Sequence, residues 1–218
     1  MAVKPWVGAI KAPSGFDESR LPELAAAPAS RLEMAWVHGY RCRDAYANIA
    51  VSAGGDVLYP AAATLVAVVQ SGGEEQHASR GFEQRHGVHH HDDVRSLAAS
   101  PDGYLVATGG QGKVPEVVIT DAAAPDIAVV THRGPELENK RAIKALCFSP
   151  DGNQVVAACD DNDHTLLCFS AVATGGGLLD QVKGGTERIL ALAWDGKSGR
   201  LVSAGVKHFK VRRQPWLI

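Results

Sequence analysis

A run of histidines and carboxylates is the part of this sequence that first suggests chemistry. The run consists of His86, His89, His90, His91, Asp92 and Asp93. Imidazole and carboxylate groups bind zinc and paired metal ions, so a metal-dependent hydrolase is one hypothesis. Neighbouring residues of an extended chain point to opposite sides, however, so His90 and His91 cannot easily hold one ion. We therefore favour a structural role in a turn that precedes a strand.

A second cluster of oxygen-bearing side chains lies at residues 160–164. Asp160, Asp161 and Asp163 precede His164, and alternating oxygens of this kind can hold calcium. The glycine and the distal glutamate of a calcium loop are missing, so a turn stabilised by its own Asp side chains is favoured. No Gly-x-Ser-x-Gly sequence marks a serine nucleophile. We expect neither an enzyme nor a bound metal or cofactor.

The elements that position these residues repeat at a nearly fixed interval. Gly55, Gly103, Gly152 and Gly199 are spaced by 48, 49 and 47 residues, and each lies in a turn between short apolar runs. A period of 40–50 residues with several strands per repeat is typical of β-propeller blades. Propellers mostly serve as binding platforms, so the period itself disfavours catalysis.

Each repeat predicts three or four short strands and no long helix. First strands are predicted at 46–52, 94–100, 143–149 and 189–195. Second strands are predicted at 56–62, 104–109, 154–158 and 200–204. Third strands are predicted at 64–70, 116–120, 164–170 and 208–212. Weaker fourth strands are predicted at 127–131 and 178–182, and polar loops at 71–88 and 134–140. The last repeat lacks a fourth strand, because Pro215 would interrupt its ladder.

These repeats predict an all-β, partial propeller of about four degenerate blades. Residues 1–30 contain four prolines and are expected to form an extended leader, anchored on another surface by apolar residues (Trp6, Val7 and Ile10). A motif and first blade are expected over 31–70 and further blades over 71–218. Such an array leaves its two end blades uncovered, which predicts marginal stability or self-association. The predicted core residues are Leu97, Val106, Leu146, Val156 and Leu166.

Composition limits the cellular setting and the partners. The net charge is −2, so no overall field favours nucleic acid. No apolar run approaches the length of a membrane span, and the N-terminus lacks the apolar region of a signal peptide. Four cysteines without a Cys-x-x-Cys pair indicate reduced thiols in or near the core of a cytosolic protein.

Residues 32–49 closely resemble the hydrophobic motif of the echinoderm microtubule-associated protein-like (EMAP-like) family. The matching residues are Trp36, Val37, Gly39, Tyr40, Arg41, Asp44 and Asn48. The departures are Ala35, Tyr46 and Ala47. Further matches lie at 94–98, 107–109, 160–164 and 205–208, so the resemblance covers nearly the whole chain. The family carries two fused propellers, and this chain resembles the first portion of the first.

The resemblance implies a non-enzymatic protein that binds tubulin or microtubules through a propeller surface. It implies a location in the cytoplasm on the microtubule cytoskeleton, or in a cilium, with other cytoskeletal or ciliary proteins as further partners. Neither nucleic acid nor membrane is expected as a partner. The alternative is a WD-repeat scaffold for another protein complex.

The resemblance also assigns roles to individual residues. It implies that His90 and Asp92 form hydrogen bonds within their blade. The structural motif residues are Trp36, Gly39, Tyr40, Arg41, Asp44 and Asn48. Of these, Trp36 and Tyr40 are expected to anchor the turn at Gly39 against the blades, and Arg41 and Asp44 to form internal ion pairs.

The C-terminal end carries the strongest concentration of positive charge. Its members are Lys207, Lys210, Arg212 and Arg213, and two of them, Lys210 and Arg212, share one face of a strand. This basic patch is a candidate contact for the acidic surface of tubulin. A solvated edge that discourages sheet pairing explains the same residues, and both interpretations stay open.

Overall fold

The N-terminal part of the chain is a unit of its own. The computed structural model describes residues 13–27, 30–71, 81–172 and 177–213, and contacts divide the chain into Met1–Met34 and Ala35–Ile218. The first unit contains a 3-10 turn, Glu18–Arg20, and a short helix, α1, Leu21–Leu24. The Asp17 carboxylate accepts a hydrogen bond from the Ser19 N–H at 2.9 Å and so starts the turn. The predicted extended leader therefore contains one short helical stretch, and its predicted anchors lie outside the described residues.

The second unit consists of four antiparallel sheets that follow one another along the chain. The first contains β1 (Ala50–Val51), β2 (Val57–Ala61), β3 (Thr64–Ser71) and β4 (Gly81–Val88). The second contains β5 (Val94–Ala99), β6 (Leu105–Gly110), β7 (Val117–Asp121) and β8 (Ala128–His132). The third contains β9 (Ile143–Phe148), β10 (Gln154–Cys159), β11 (Leu166–Ser170) and β12 (Leu178–Val182). The fourth contains β13 (Ile189–Asp195), β14 (Arg200–Gly205) and β15 (His208–Arg213). The predicted partial β-propeller is confirmed.

The first sheet differs from the sequence prediction in two strands. Strand β1 contains only two residues, whereas a strand over 46–52 was expected. Strand β4 occupies a segment predicted to be a loop, and it pairs with β3 from Thr64–Val88 to Ser71–Gly81. Each of its first six residues is polar or exposed, because an outermost strand has little to pack against. These residues lack the apolar alternation by which a strand is recognised, so the strand was not predicted.

The four repeated turns explain the periodic glycines. Gly55, Gly103, Gly152 and Gly199 have φ angles of +87°, +74°, +73° and +63°. This left-handed conformation carries no steric cost for glycine, which has no Cβ. In the second and third sheets the Ser100 and Ser149 hydroxyls each bond to an Asp two residues later, so the same turn is built twice.

The best-covered sheet is the third, which lies between two neighbours. The predicted core residues are confirmed: Leu97, Val106, Leu146, Val156 and Leu166 are all buried. Every residue of β11 is buried, whereas β15 at the end of the array exposes Phe209 by 72% and Val211 by 49%. The end sheets are therefore the least covered, as the repeat count predicted. In the described ranges no helix is long and apolar enough to cross a membrane.

The cysteines divide between core and surface. Cys147, Cys159 and Cys168 are buried and free, and burial raises the pKa of each thiol to about 12. Cys42 is free but exposed, which corrects the expectation that all four lie in or near the core.

Candidate functional site

The segment over residues 36–41 lies against the face of the first sheet that points away from the second sheet. The Gln84 side chain holds it: its amide accepts from Val37 N at 2.8 Å and donates to Val37 O at 3.1 Å. Gln84 also donates to the Tyr59 hydroxyl, and the Tyr40 ring meets the Tyr59 ring edge-on at 6.1 Å. Because Leu58 and its neighbours on the opposite face pack on the second sheet, this segment covers the otherwise open side.

An ion-pair network ties the end of this segment to the second sheet. Asp44 accepts from Arg41 at 2.6 and 2.9 Å and from Arg95 at 3.0 Å. The remaining guanidinium nitrogen of Arg41, Nη1, donates to Asp93. The hydrogen bond from Arg41 is the largest reason that the pKa of Asp44 falls to about 2. The predicted internal roles of Arg41 and Asp44 agree with this geometry.

The remaining motif residues are placed in two ways. Asn48 is buried, donates to the Arg41 carbonyl and accepts from the Tyr40 hydroxyl at 2.9 Å. Trp36 and Tyr40, which were expected to anchor the turn at Gly39 against the blades, are 42% and 47% exposed, and of the two rings Tyr40 contacts Tyr59 of the first sheet. Trp36 instead lies near the His38 ring, at 6.1 Å.

The histidine run is divided among different neighbours. His90 is buried and hydrogen-bonds through Nε2 to the Thr108 hydroxyl at 2.8 Å, within its own sheet. Burial lowers the pKa of His90 to about 4. Asp92 is exposed and accepts from Gln111 at 3.0 Å, so it stabilises the adjacent turn and does not bond to His90. Over the ranges the structure covers, no group of three His, Cys, Asp or Glu side chains is arranged for a metal ion.

The acidic loop at 160–164 is a hydrogen-bonded turn. Asp161 accepts from Lys140 Nζ at 2.6 Å, from the Thr165 hydroxyl at 2.6 Å and from the Thr165 N–H at 2.7 Å. These bonds use the carboxylate oxygens that a calcium ion would need.

The predicted basic patch does not present four equivalent charges. Lys210 Nζ donates to the Gly184 carbonyl at 2.7 Å, and Arg212 donates to the same carbonyl at 3.1 Å and to Ser203 at 2.7 Å. These two side chains therefore tie the fourth sheet to the loop before it. Lys207, Lys210 and Arg213 are exposed, whereas Arg212 is half-buried.

A β-bulge that recurs in three of the sheets marks a site that was not predicted from the sequence. Where the first and second strands of a sheet pair, the register shifts at one residue in the second, third and fourth sheets. The residues left without a partner are Arg95, Lys144 and Leu190, each the second residue of its strand. Such bulges re-aim a side chain. The signal was present in the aligned sequences Val-Arg-Ser-Leu, Ile-Lys-Ala-Leu and Ile-Leu-Ala-Leu.

The three bulged residues line one pocket of about 270 Å³, to which all four repeats contribute. The first strands of adjacent sheets contact one another, so this pocket lies where those strands converge. We call it the axial pocket. Besides the bulged residues, Asp44, Tyr46, Asp160, His164, Arg188 and Ile189 line it. Both charged and apolar side chains thus line the axial pocket.

Comparison with known protein families decides the identity of these repeats. The HELP motif matches residues 27–68, and the WD domain, G-beta repeat, matches residues 82–114 and 130–170. This chain is a HELP-motif WD-repeat protein. The segment that covers the first sheet therefore lies within the HELP motif.

Curated proteins from three organisms are similar to this chain. The chain is 30% identical to the ciliary WD repeat-containing protein ctxp80 of Euplotoides octocarinatus, over 97% of this chain and 30% of the relative. It is 35% identical to echinoderm microtubule-associated protein-like 2 of Rattus norvegicus, over 64% of this chain and 21% of the relative. It is 34% identical to the 77 kDa echinoderm microtubule-associated protein of Strongylocentrotus purpuratus, over 71% and 22%. The resemblance to the EMAP-like family is confirmed, and the chain spans less than a third of these relatives.

The WD repeats are offset from the sheets. The match over 130–170 begins in β8, the outermost strand of the second sheet, and ends with β11 of the third. The match over 82–114 likewise begins in β4 and continues through β6. Each WD repeat therefore links two sheets covalently, which keeps neighbouring blades in contact.

Proposed function

We propose that this HELP-motif WD-repeat chain is a non-enzymatic microtubule-associated protein that binds tubulin through its propeller surface. The observation that carries the proposal is a HELP motif and WD repeats in a chain that is 34–35% identical to relatives named as microtubule-associated proteins. Such a protein would act in the cytoplasm on the microtubule cytoskeleton. A relative named as a ciliary protein supports the cilium as one site of action, with ciliary or other cytoskeletal proteins as further partners.

In this proposal some of the named residues hold the propeller together and others contact the partner. Gly39, Tyr40, Arg41, Asp44 and Asn48 would hold the HELP segment on the first sheet, and His90 and Asp92 would stabilise the second. Lys207 and Arg213 would meet acidic groups on the partner, because both are exposed. Lys210 and Arg212 would mainly keep the fourth sheet in place, since their donors already bond to Gly184 and Ser203.

The experiment that tests the proposal is co-sedimentation of the purified chain with polymerised tubulin across a salt series. We expect pelleting at low salt that weakens as salt rises, because contacts between exposed charges are screened. A double Lys207→Ala, Arg213→Ala variant should pellet less, and a Lys197→Ala variant, which changes an exposed lysine in another turn, serves as the control. Failure of a folded chain to pellet at low salt would contradict tubulin binding.

The second candidate function is that of a scaffold for another protein complex. The exposed apolar side chains of the fourth sheet favour it, because large exposed apolar patches mark protein interfaces. A tubulin-independent partner whose binding is insensitive to salt would support the scaffold over the microtubule-associated protein.

A further inference from the structure

The axial pocket combines positive charge with apolar walls. Three cations line it, Arg95, Lys144 and Arg188, against two carboxylates, Asp44 and Asp160. Both carboxylates are shared with cations outside the pocket: Asp44 with Arg41 at 2.6 Å and Asp160 with Arg141 at 3.8 Å. The acids therefore do not neutralise the pocket, and its walls focus a positive potential.

The cations in the pocket are only partly satisfied by the protein. Lys144 Nζ lies 3.6 Å from Asp160, which is longer than a hydrogen bond. The Arg95 side chain is only 10% exposed, and its buried Nε has no hydrogen-bond partner among the described residues. Burial, and then the neighbouring charge of Arg95, lowers the pKa of Lys144. A negatively charged group would accept hydrogen bonds from these donors and offset their positive charge.

The size and walls of the pocket limit what that group can be. A volume of about 270 Å³ lies below the range of pockets that bury drug-sized ligands. Ile189, Leu190 and Tyr46 supply surfaces for an aliphatic stem, beside the cations that would meet a charged head. A short side chain that ends in a carboxylate has this combination of stem and head.

We propose that the axial pocket binds a carboxylate side chain of an acidic peptide segment in a partner protein. Lys144 and Arg188 bind the carboxylate, Arg95 adds its charge from the buried side, and Leu190 and Tyr46 contact the methylene groups. This inference rests on the pocket and not on tubulin binding, so it stands if the partner is another protein.

The test measures binding of a fluorescently labelled hexaglutamate peptide to the 218-residue chain by anisotropy at low salt. A hexaglutamine peptide with the same label should not bind, because it lacks the charge. Lys144→Met keeps the stem and removes the charge, and we expect it to weaken hexaglutamate binding by at least about fivefold. Lys197→Met makes the same change on an exposed turn and should leave binding unchanged.

A second variant covers the case in which Lys144→Met fails to fold. Arg188→Gln changes an exposed residue, so it should fold normally and should also weaken binding. Unchanged binding in Arg188→Gln, an equal loss in Lys197→Met, or no binding of hexaglutamate to the folded chain would overturn the proposal. Inorganic phosphate at matched ionic strength should not compete. Displacement of the peptide by phosphate would show a site for a free anion instead.

These outcomes are separate from those of the tubulin experiment. If the chain binds hexaglutamate but does not pellet with microtubules, tubulin binding is refuted and the carboxylate pocket is not. Loss of hexaglutamate binding with pelleting intact would refute the carboxylate pocket alone.

Discussion

The buried imidazole of His90 predicts that the chain loses stability as the solution is acidified. Its Nε2 bonds to the Thr108 hydroxyl, which itself donates to the Val118 carbonyl at 3.2 Å, so the network places the ring proton on Nε2. Nδ1 is buried and has no partner in the described ranges. A second proton on Nδ1 would create a buried charge with an unsatisfied donor. Glu116 lies 3.9 Å from this atom, but Arg133 already pairs with it.

The size of the effect follows from the pKa of His90, which burial lowers from 6.5 to about 4. Above pH 6.5 the ring is neutral in both the folded and the unfolded chain, and the stability is fully present. Between pH 6.5 and pH 4 the unfolded chain binds a proton at His90 and the folded chain does not, so the free energy of unfolding falls as the pH is lowered. The full loss is about 3 kcal/mol, of which about 2 kcal/mol is lost between pH 7 and pH 5.

The measurement is urea unfolding of the chain and of a His90→Gln variant at a series of pH values. Glutamine can still bond to Thr108 but does not titrate, so its unfolding free energy should fall less steeply below pH 6.5. His38→Gln is the matched control, because His38 is exposed and lies outside the histidine run, so it should leave the slope unchanged. Equal slopes for the wild-type chain and His90→Gln would refute the argument from burial.

Further substitutions test the packing of the sheets and their exposed edges. Leu146→Ala removes a buried core side chain and should lower the free energy of unfolding by about 2–5 kcal/mol; a change within the error of urea denaturation would place Leu146 outside the core. Gly205→Ala should cost about 1–3 kcal/mol in the same assay, because its Cβ would lie 1.8 Å from the Arg188 carbonyl oxygen, and a neutral effect would contradict this close approach. A double Phe209→Ser, Val211→Ser variant should self-associate less than the wild-type chain in sedimentation velocity, since both side chains are exposed on β15. Identical sedimentation across concentrations for both proteins would show that this face does not associate.

The sequence predicts the fold best where strands are buried and their turns need glycine. The alternation in Ile143–Phe148 and the Ser-Pro-Asp-Gly turns placed the third sheet correctly, because packing on both sides leaves an apolar pattern. Strand β4 was missed because most of its residues are exposed, and its half-buried Gln84 bonds to the backbone of Val37. Backbone pairing alone holds such a strand, and it leaves no periodic trace in the sequence.

Side-chain partners within the site were harder to predict. The motif pointed to Arg41 and Asp44, but Arg95, which joins them, lies 51 residues after Asp44 and carries no local signal. The exposure of Trp36 was also unpredictable, since burial depends on whether another element covers the outer face of the first sheet. The basic patch looked like one surface because sequence spacing cannot show that the Gly184 carbonyl engages Lys210 and Arg212.

The ion pairs that join Arg41 and Asp44 to the second sheet cannot form until the residues of that sheet have been synthesised. Arg41 leaves the ribosome 52 residues before Asp93, its partner in the second sheet. At typical elongation rates that interval lasts about 3–10 s. During those seconds Arg41 can pair only with Asp44, three residues later in the chain. Gln84 is synthesised towards the end of the interval, and the partners Asp93 and Arg95 come last. Chaperones that act on nascent chains could therefore bind this segment, with its Trp36 and Tyr40 rings, before its ion pairs to the second sheet form.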